Sequence, residues 1–537
     1  MQTNELLTHT FEADEFHEDP FNRVALDVLF TDPQGQDFLV PAFWAGGRNW
    51  QVRYSSPIAG RHTFVSRCSA SGDEGLHGVE GSFEIDAYTG TMPLTRRGAP
   101  KVAEDRRHFS YGDGTPFLWL ADTWWMGLCK RMEWPTDFKR LAADRKEKGF
   151  NVIQIVAGLY PDMPAFDSRG DNEFGWPWMQ DYSRVNPEYF DFADRRIFHL
   201  ADEGFVPCIV GTWGYHILWM GTEKMKQHWR YLIARYAALP VVWVTAGEAT
   251  MPFYLSEDKE KDAEILKNAW TEVARYIHEI DPFDRMVTAH PSLSARETVN
   301  DPTVLDFDMH QTGHRVEKDE VIQPVRNIRM SYEADPVMPV ISGESSYDGL
   351  DLTEWGRTMI PSSTARAMWW ACMMNNGAAG STYGANGIWQ VNRVGQPYGP
   401  SPHGRSWGSQ PWEEAMQRPA SRELGLAKEL FEQLPWHRFE PHPEWVKWST
   451  EGEMPDETVP PYAAGVLGEV VVVYALEFLP VEIRNLSPAG KYLASYFDPV
   501  TGEQTKIGEV EAGRNGNWRC PSPAAESDWV VILQRRR

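Results

Sequence analysis

The chain has 537 residues, 42% of them hydrophobic, with 24 Trp and a formal net charge of −24. That length exceeds one ordinary domain, roughly two to four being expected, and the charge argues against nucleic acid and anionic membranes as partners, because both require basic surfaces. It also disfavours a polyanionic substrate unless a local basic pocket overrides the global field. No run approaches the roughly 18 apolar residues of a membrane-spanning helix. Residues 1–10 (MQTNELLTHT) show neither the basic start nor the apolar core of a secretory signal, so a cytoplasmic location is expected. The five cysteines, Cys68, Cys129, Cys208, Cys372 and Cys520, are scattered and odd in number. They argue against a disulfide framework and a structural zinc site.

Short strands separated by turn signals open the chain. Val24–Phe30 is followed by the turn Thr31-Asp32-Pro33-Gln34-Gly35. Then come Phe38–Val40, cut short by Pro41, and Trp50–Tyr54, His62–Cys68 and Ser82–Ile85. This pattern predicts an N-terminal antiparallel β-sandwich over residues 1–95. A Gly/Pro/Arg-containing linker spans Thr89–Pro100. Strands then alternate with amphipathic helices, the signature of a parallel sheet. The predicted strands are Phe117–Ala121, Asn151–Val156, Phe205–Val210, a fourth ending at Glu248, Arg285–His290, Leu305–His310, a seventh ending at Glu344, and a Gly-rich eighth over Gly377–Gly384. The helices between them are Pro135–Lys148, Phe190–Glu203, Lys224–Ala237, Lys259–Ile280 and Ser363–Asn375, with Glu413–Gln433 closing the series. Eight such strands predict an α/β fold, a (β/α)8 TIM barrel, over 101–435. A C-terminal β-domain is expected over 436–537, from Val470–Ala475, Lys491–Phe497, the turn Asp498–Gly502 and Trp529–Leu533.

Two segments carry the chemistry. Trp243-Val244-Thr245-Ala246-Gly247-Glu248 and Val337-Met338-Pro339-Val340-Ile341-Ser342-Gly343-Glu344 are apolar runs that each end in Gly-Glu. Each reads as a buried parallel strand delivering a carboxylate at its C-terminal end, where barrel active sites are built. Two carboxylates delivered this way are the minimum equipment for breaking a glycosidic bond. The Trp content suits sugars, whose apolar faces stack on flat rings. There is no phosphate-binding Gly-x-x-x-x-Gly-Lys loop, no dinucleotide fingerprint and no Gly-x-Ser-x-Gly elbow. No cofactor and no metal are expected. His310-Gln311-Thr312-Gly313-His314 offers two His four residues apart, but its Gly argues for a loop rather than a zinc-binding helix.

Three patches resemble the bacterial apiosidase-like glycoside hydrolases: Asp113–Trp124 at the barrel entrance, Gly343-Glu344-Ser345-Ser346-Tyr347, and Gly377–Gly384. The resemblance extends to the order sandwich, barrel and small β-domain. It implies that Glu344 is the nucleophile and Glu248 the general acid/base of a retaining hydrolase. One departure is the fourth strand, which often ends Gly-Gly-Asp in the family and here ends Ala246-Gly247-Glu248. The extra methylene shifts the acid and bears on which sugar fits.

Other candidates follow from position at strand ends. Asp122 after strand one is expected to hold sugar hydroxyls, with one of Trp124 and Trp125 lining the pocket and the other packing. Trp213, His216, His290, His310 and Tyr383 sit at or just after strand ends and are candidates for substrate contact. Tyr347 is placed to orient Glu344, and Trp389 to close a subsite. The expected partner is a carbohydrate substrate. The accessory sandwich leaves a homo-oligomer open. Rival readings are a non-catalytic carbohydrate-binding protein, against which two intact carboxylates argue, and a transglycosylase or lyase on the same barrel.

Overall fold

A computed structural model describes residues 1–449, 458–523 and 528–536. The expected C-terminal domain therefore includes a few residues outside the described ones.

Eight parallel strands form the central sheet: β1 (Trp119–Thr123), β2 (Val152–Val156), β3 (Val206–Val210), β4 (Val242–Val244), β5 (Val287–Thr288), β6 (Asp308–Gln311), β7 (Val340–Glu344) and β8 (Gly380–Tyr383). Their order is 5-4-3-2-1-8-7-6. Strands one to three and seven are buried along their whole length, the continuous burial of a sheet covered on both faces. Helices α1 (Thr136–Glu147), α2 (Pro187–Asp202), α3 (Thr222–Tyr236), α4 (Lys259–Ile280), α5 (Ile322–Tyr332), α6 (Ser362–Met373) and α7 (Pro419–Glu432) surround it. No α-helix joins β5 to β6. Two 3-10 turns, Ala295–Thr298 and Pro302–Val304, make that connection.

The barrel closes at the same place without a regular ladder. Val287 N–H donates to Asp306 Oδ2 at 2.7 Å and Thr288 Oγ1 to the Phe307 carbonyl at 2.8 Å. Side chains thus satisfy strand-edge groups that a ladder would otherwise pair.

The predicted strands and helices recur with local corrections. α4 has the expected limits because Asp258 caps it, accepting from Lys261 N–H at 3.1 Å. β1 starts two residues later than expected, since Pro116–Phe117 pair antiparallel with Phe109–Ser110. β4 ends at Val244 rather than at Glu248. The expected closing helix Glu413–Gln433 is two helices, Trp412–Ala415 and α7. Arg418 is extended (ψ 137°) because the Pro419 ring disfavours helical geometry in the residue before it.

Before the barrel lie two antiparallel sheets. One holds Leu7–Glu12, Asn49–Tyr54 and Phe43–Gly46, the other Asp37–Pro41, Leu26–Thr31, Gly60–Cys68 and Glu80–Ile85. After it, a six-stranded antiparallel sheet centred on Val470–Ala475 and Trp529–Arg535 faces a three-stranded one. Buried charges join both to the barrel. Arg53, on Asn49–Tyr54, pairs with Asp194 of α2. Arg366 of α6 donates through Nε to Asp528 Oδ2 at 3.0 Å and through a terminal nitrogen to Glu423 Oε2 at 2.6 Å. All five cysteines are free and buried. Among the described residues no helix is long and apolar enough to cross a membrane.

Candidate active site

The C-terminal ends of the barrel strands surround a cavity of about 310 Å³ lined by both Glu248 and Glu344. Each is set there by the glycine before it. A Cβ on Gly247 would stand 2.1 Å from the Trp213 ring, and one on Gly343 would stand 2.1 Å from Met309 Cγ. Only a residue without a side chain lets these strands come so close to their neighbours. Beyond β4 the backbone stays in register through Thr245 N–H to the Thr288 carbonyl (2.8 Å) and Gly247 N–H to the Thr212 carbonyl (2.9 Å). Glu248 then turns into the left-handed region at φ 42°, a strained conformation for a non-glycine residue and one found preferentially at functional sites.

The two carboxylates have opposite surroundings. Glu344 is buried, and polar groups converge on both of its oxygens. Gln311 Nε2 donates to Oε1 at 2.7 Å, and Tyr347 Oη donates to Oε2 at 2.7 Å. His314 Nε2 lies 3.1 Å from Oε1 and His290 Nε2 3.3 Å from Oε2. Tyr347 is itself held by Trp125 Nε1 at 2.9 Å. Burial alone would raise the Glu344 pKa, but the imidazoles of His290 and His314 overcome it and hold the carboxyl well below the usual range.

Glu248 receives only two long contacts, from Trp213 Nε1 to Oε2 and from Gln311 Nε2 to Oε1, each 3.3 Å. Desolvation, then the charge of Glu344, then that of Asp162 push its pKa up to about 8. One group is held ionised and the other protonated at neutral pH, the division of labour that acid–base catalysis between two carboxyls requires.

Gln311 sets their spacing. One amide nitrogen reaches both carboxylates, so their nearest oxygens are at most about 6 Å apart, the two bonds laid end to end.

Of the residues singled out from sequence, Glu248, Glu344, Trp213, Tyr347 and Trp389 line this cavity, and so does Trp125. Others do not reach it. Asp122 is fully buried, paired with Arg145 Nε at 2.6 Å and accepting from Trp124 Nε1 at 2.7 Å, so both Asp122 and Trp124 belong to a structural cluster under α1. His216 is buried with Nε2 on the Tyr160 carbonyl at 3.0 Å, and desolvation lowers its pKa to about 4. His310 pairs with Asp308 Oδ2 at 3.2 Å, and Tyr383 donates to Asp348 Oδ2 at 3.2 Å. His290 lies behind the carboxylates, its Nδ1 accepting from Glu248 N–H at 3.4 Å. Asp122, His216, His290, His310 and Tyr383 were expected to touch substrate and are instead committed to the protein, while of the pair Trp124 and Trp125 it is Trp124 that packs and Trp125 that lines the cavity.

The residues missed were Gln311, His314, Asp162, Tyr254, Trp355 and Trp407, all on the cavity wall. Gln311 and His314 lay inside a motif weighed for metal. Among the described residues no group of three or more His, Cys, Asp or Glu is placed to hold a metal ion. Nothing local marked the others, which come from long loops.

Comparison with known proteins decides the family. The apiosidase-like catalytic domain matches residues 103–438, well over half of the chain. The chain belongs to the apiosidase-like family. It is a glycoside hydrolase, and its substrates are carbohydrates. A domain of unknown function, DUF5060, matches residues 1–69. No curated protein matches significantly.

Among solved structures, a family 5 glycoside hydrolase from Bacteroides vulgatus is 23% identical, with a TM-score of 0.67, over 83% of this chain and 95% of its own. A second B. vulgatus protein assigned to the glycoside hydrolases is 16% identical, with a TM-score of 0.69, over 100% and 99%. At these identities the likeness is one of fold, and in the second protein it extends along the whole chain, the apiosidase-like barrel and both flanking β units.

Proposed function

We propose that the chain hydrolyses a short glycoside with retention of configuration, Glu344 acting as nucleophile and Glu248 as acid/base. The observation that carries this reading is the Gln311 bridge. A retaining pair stands roughly 5–5.5 Å apart and an inverting pair roughly 6.5–9.5 Å, the wider gap admitting a water. Nearest oxygens at most about 6 Å apart, spanned by one amide nitrogen, support the closer, retaining spacing.

In the first step a Glu344 oxygen attacks the anomeric carbon. The bond to the leaving oxygen breaks, and that oxygen takes the Glu248 proton. Glu344 is then an ester and Glu248 an anion. In the second step Glu248 removes a proton from water, the water oxygen attacks the same carbon, and Glu344 leaves as a carboxylate. The raised pKa of Glu248 suits the first step, and loss of the neighbouring Glu344 charge in the ester lowers it for the second. Tyr347 and Gln311 orient the nucleophile, Trp213 orients the acid, and Trp389 stacks against the sugar. The cavity, about 310 Å³, is at the small end of ligand sites, which favours a short glycoside over a polymer chain.

The test is hydrolysis of a panel of nitrophenyl glycosides, pentosides included, with the first-formed product anomer followed by proton NMR. Retention is expected, with activity lost in Glu344→Ala. Formation of the inverted anomer, or full activity in Glu344→Ala, would overturn the mechanism. Sugar affinity without turnover of any glycoside would favour the binding-protein reading.

A further inference from the structure

Strands β4 and β8 stand opposite each other in the barrel, with three strands between them by either route. The loops that follow them nevertheless meet. Tyr254, beyond β4, and His403, beyond β8, have ring centroids 5.4 Å apart, and both line the cavity. A contact between opposite loops crosses the mouth. The rings continue from His403 to Trp407 at 5.8 Å and to Trp355, in the loop after β7, at 5.1 Å. Trp355 and Trp407 stack with centroids 4.7 Å apart.

One side of this bridge is filled. Asp162, in the loop after β2, ties three loops into one knot. Tyr254 Oη donates to its Oδ1 at 2.7 Å, and Ser401 and Trp407 of the loop after β8 also bond its carboxyl. Tyr398 Oη donates to its backbone carbonyl at 3.0 Å, and Arg169, also in the loop after β2, reaches the Pro400 carbonyl at 3.0 Å. These partners hold the left-handed Asp162 backbone (φ 55°) in place. Ser406 N–H donates to Glu354 Oε2 at 2.8 Å, which carries the wall on to the loop after β7. The residues that the loops after β1, β2 and β3 give to the cavity, Trp125, Pro161, Asp162 and Trp213, are all buried. On the other side of the bridge Met251, Gln311 and His314 are partly exposed, and among the described residues the connection after β5 adds nothing to the cavity wall. The mouth is closed over β1–β3 and low over β5.

A cleft for a running chain needs two open ends, and this cavity has one. The order of events fixes which unit occupies the blind end. The leaving unit departs while the glycone is still an ester on Glu344, so it lies between the glycone and the entrance. The blind wall then leaves no room for a further sugar beyond the glycone. Resting on the double-displacement reading, we infer that the enzyme acts only at chain ends and removes the non-reducing terminal sugar, Asp162 being the positioning residue that ties the blind end together.

The probes are short neutral oligosaccharides of the glycone that the nitrophenyl panel selects, fluorescently labelled at the reducing end, and the same compounds with a benzyl ether on the non-reducing terminal sugar. Early in the reaction the wild type should release the terminal sugar alone and shorten the labelled chain one unit at a time. The benzyl cap should lower kcat/KM roughly 100-fold. Asp162→Ala and Tyr254→Ala each untie the loops and should narrow that ratio roughly tenfold, whereas a general loss of rate or stability leaves the ratio where it was. Internal cleavage by the wild type, or equal hydrolysis of capped and uncapped chains, would overturn the inference whatever the variants do. An unmoved ratio in variants that a thermal melt shows to be folded would overturn the role of Asp162. If no nitrophenyl glycoside is cleaved, labelled oligosaccharides of mixed linkage are scored in the same way. Failure of the double-displacement reading would appear instead as an inverted product or an active Glu344→Ala, neither of which depends on where the chain is cut.

Discussion

The segment just beyond β4 and the end of β7 carry the same two letters, Gly-Glu, and opposite electrostatics. At β7 the carboxylate is ringed by Gln311, Tyr347, His314 and His290. At β4 it has two contacts of 3.3 Å and sits against the charge of its counterpart. Identical side chains at the mouth of one barrel are thereby held in opposite protonation states, Glu344 ionised and Glu248 protonated. The lesson is that role resides in the donors around a carboxyl, and those donors come from the end of β6 and the loops after β5, β6 and β7.

Substitutions can break this contrast or sharpen it. The largest effect is expected from Glu344→Ala, which should lower kcat by about 10⁴-fold or more, because no other group can form the glycosyl ester. Steady-state rates on the best glycoside of the panel check this. Glu248→Gln should cost about 10²–10⁴-fold, more on glycosides with poor leaving groups than on nitrophenyl glycosides. A loss independent of leaving group would mean that Glu248 is not the acid.

Titration comes next. Activity needs Glu248 protonated, so kcat/KM should decline about tenfold per unit as pH rises through about 8. The acid limb should lie well below the ordinary carboxylate range, since Glu344 must stay ionised and its pKa is depressed. Stability should move in opposite directions at the two sites. Glu248 has a raised folded pKa, so its contribution is full below its unfolded value and lost as pH rises through about 8. Glu344 has a depressed one, so its contribution is present above its unfolded value and lost as pH falls through the folded one. At pH 8, Glu248→Gln should therefore raise the melting temperature and Glu344→Gln lower it, and scanning calorimetry would expose equal signs. The smallest effect is expected from Tyr347→Phe, which removes one of the groups on Glu344 and should cost about 10-fold in kcat. A loss as large as that of Glu344→Ala would give Tyr347 a different role.

Much of the architecture was legible because it rests on periodicity. The apolar runs of β2, β3 and β7 and the helical spacing of α4 declare themselves within ten or twenty residues. The missing β5–β6 helix was not claimed, and the helix break before Pro419 was overlooked although the proline is visible. The site was read only in part. Position at a strand end says which face of the barrel a residue occupies, not whether its side chain turns into the mouth. Asp122 and His310 occupy such ends, yet Arg145, 23 residues on, claims the first and Asp308, two residues before, claims the second. Gln311 escaped notice because an amide does not titrate, and its importance lies in reaching two carboxylates from distant strands. Asp162, Trp355 and Trp407 come from loops whose course no local pattern encodes.

The ion pairs that join the flanking β units to the barrel bear on how such a protein can be cut or recombined. Arg53 reaches from the first unit to Asp194, and Arg366 from α6 to Asp528 in the last. Without Arg53, Asp194 would keep only Arg235 as an ion-pair partner, and without Asp528, Arg366 would keep only Glu423, so each cut weakens a buried charge network. A barrel excised at its own first and last strands would carry both liabilities at once. The barrel and its two flanking units are therefore a single inheritable cassette: trimming to a minimal enzyme, or grafting the sandwich onto another barrel, would have to replace these buried charges along with the connecting peptide.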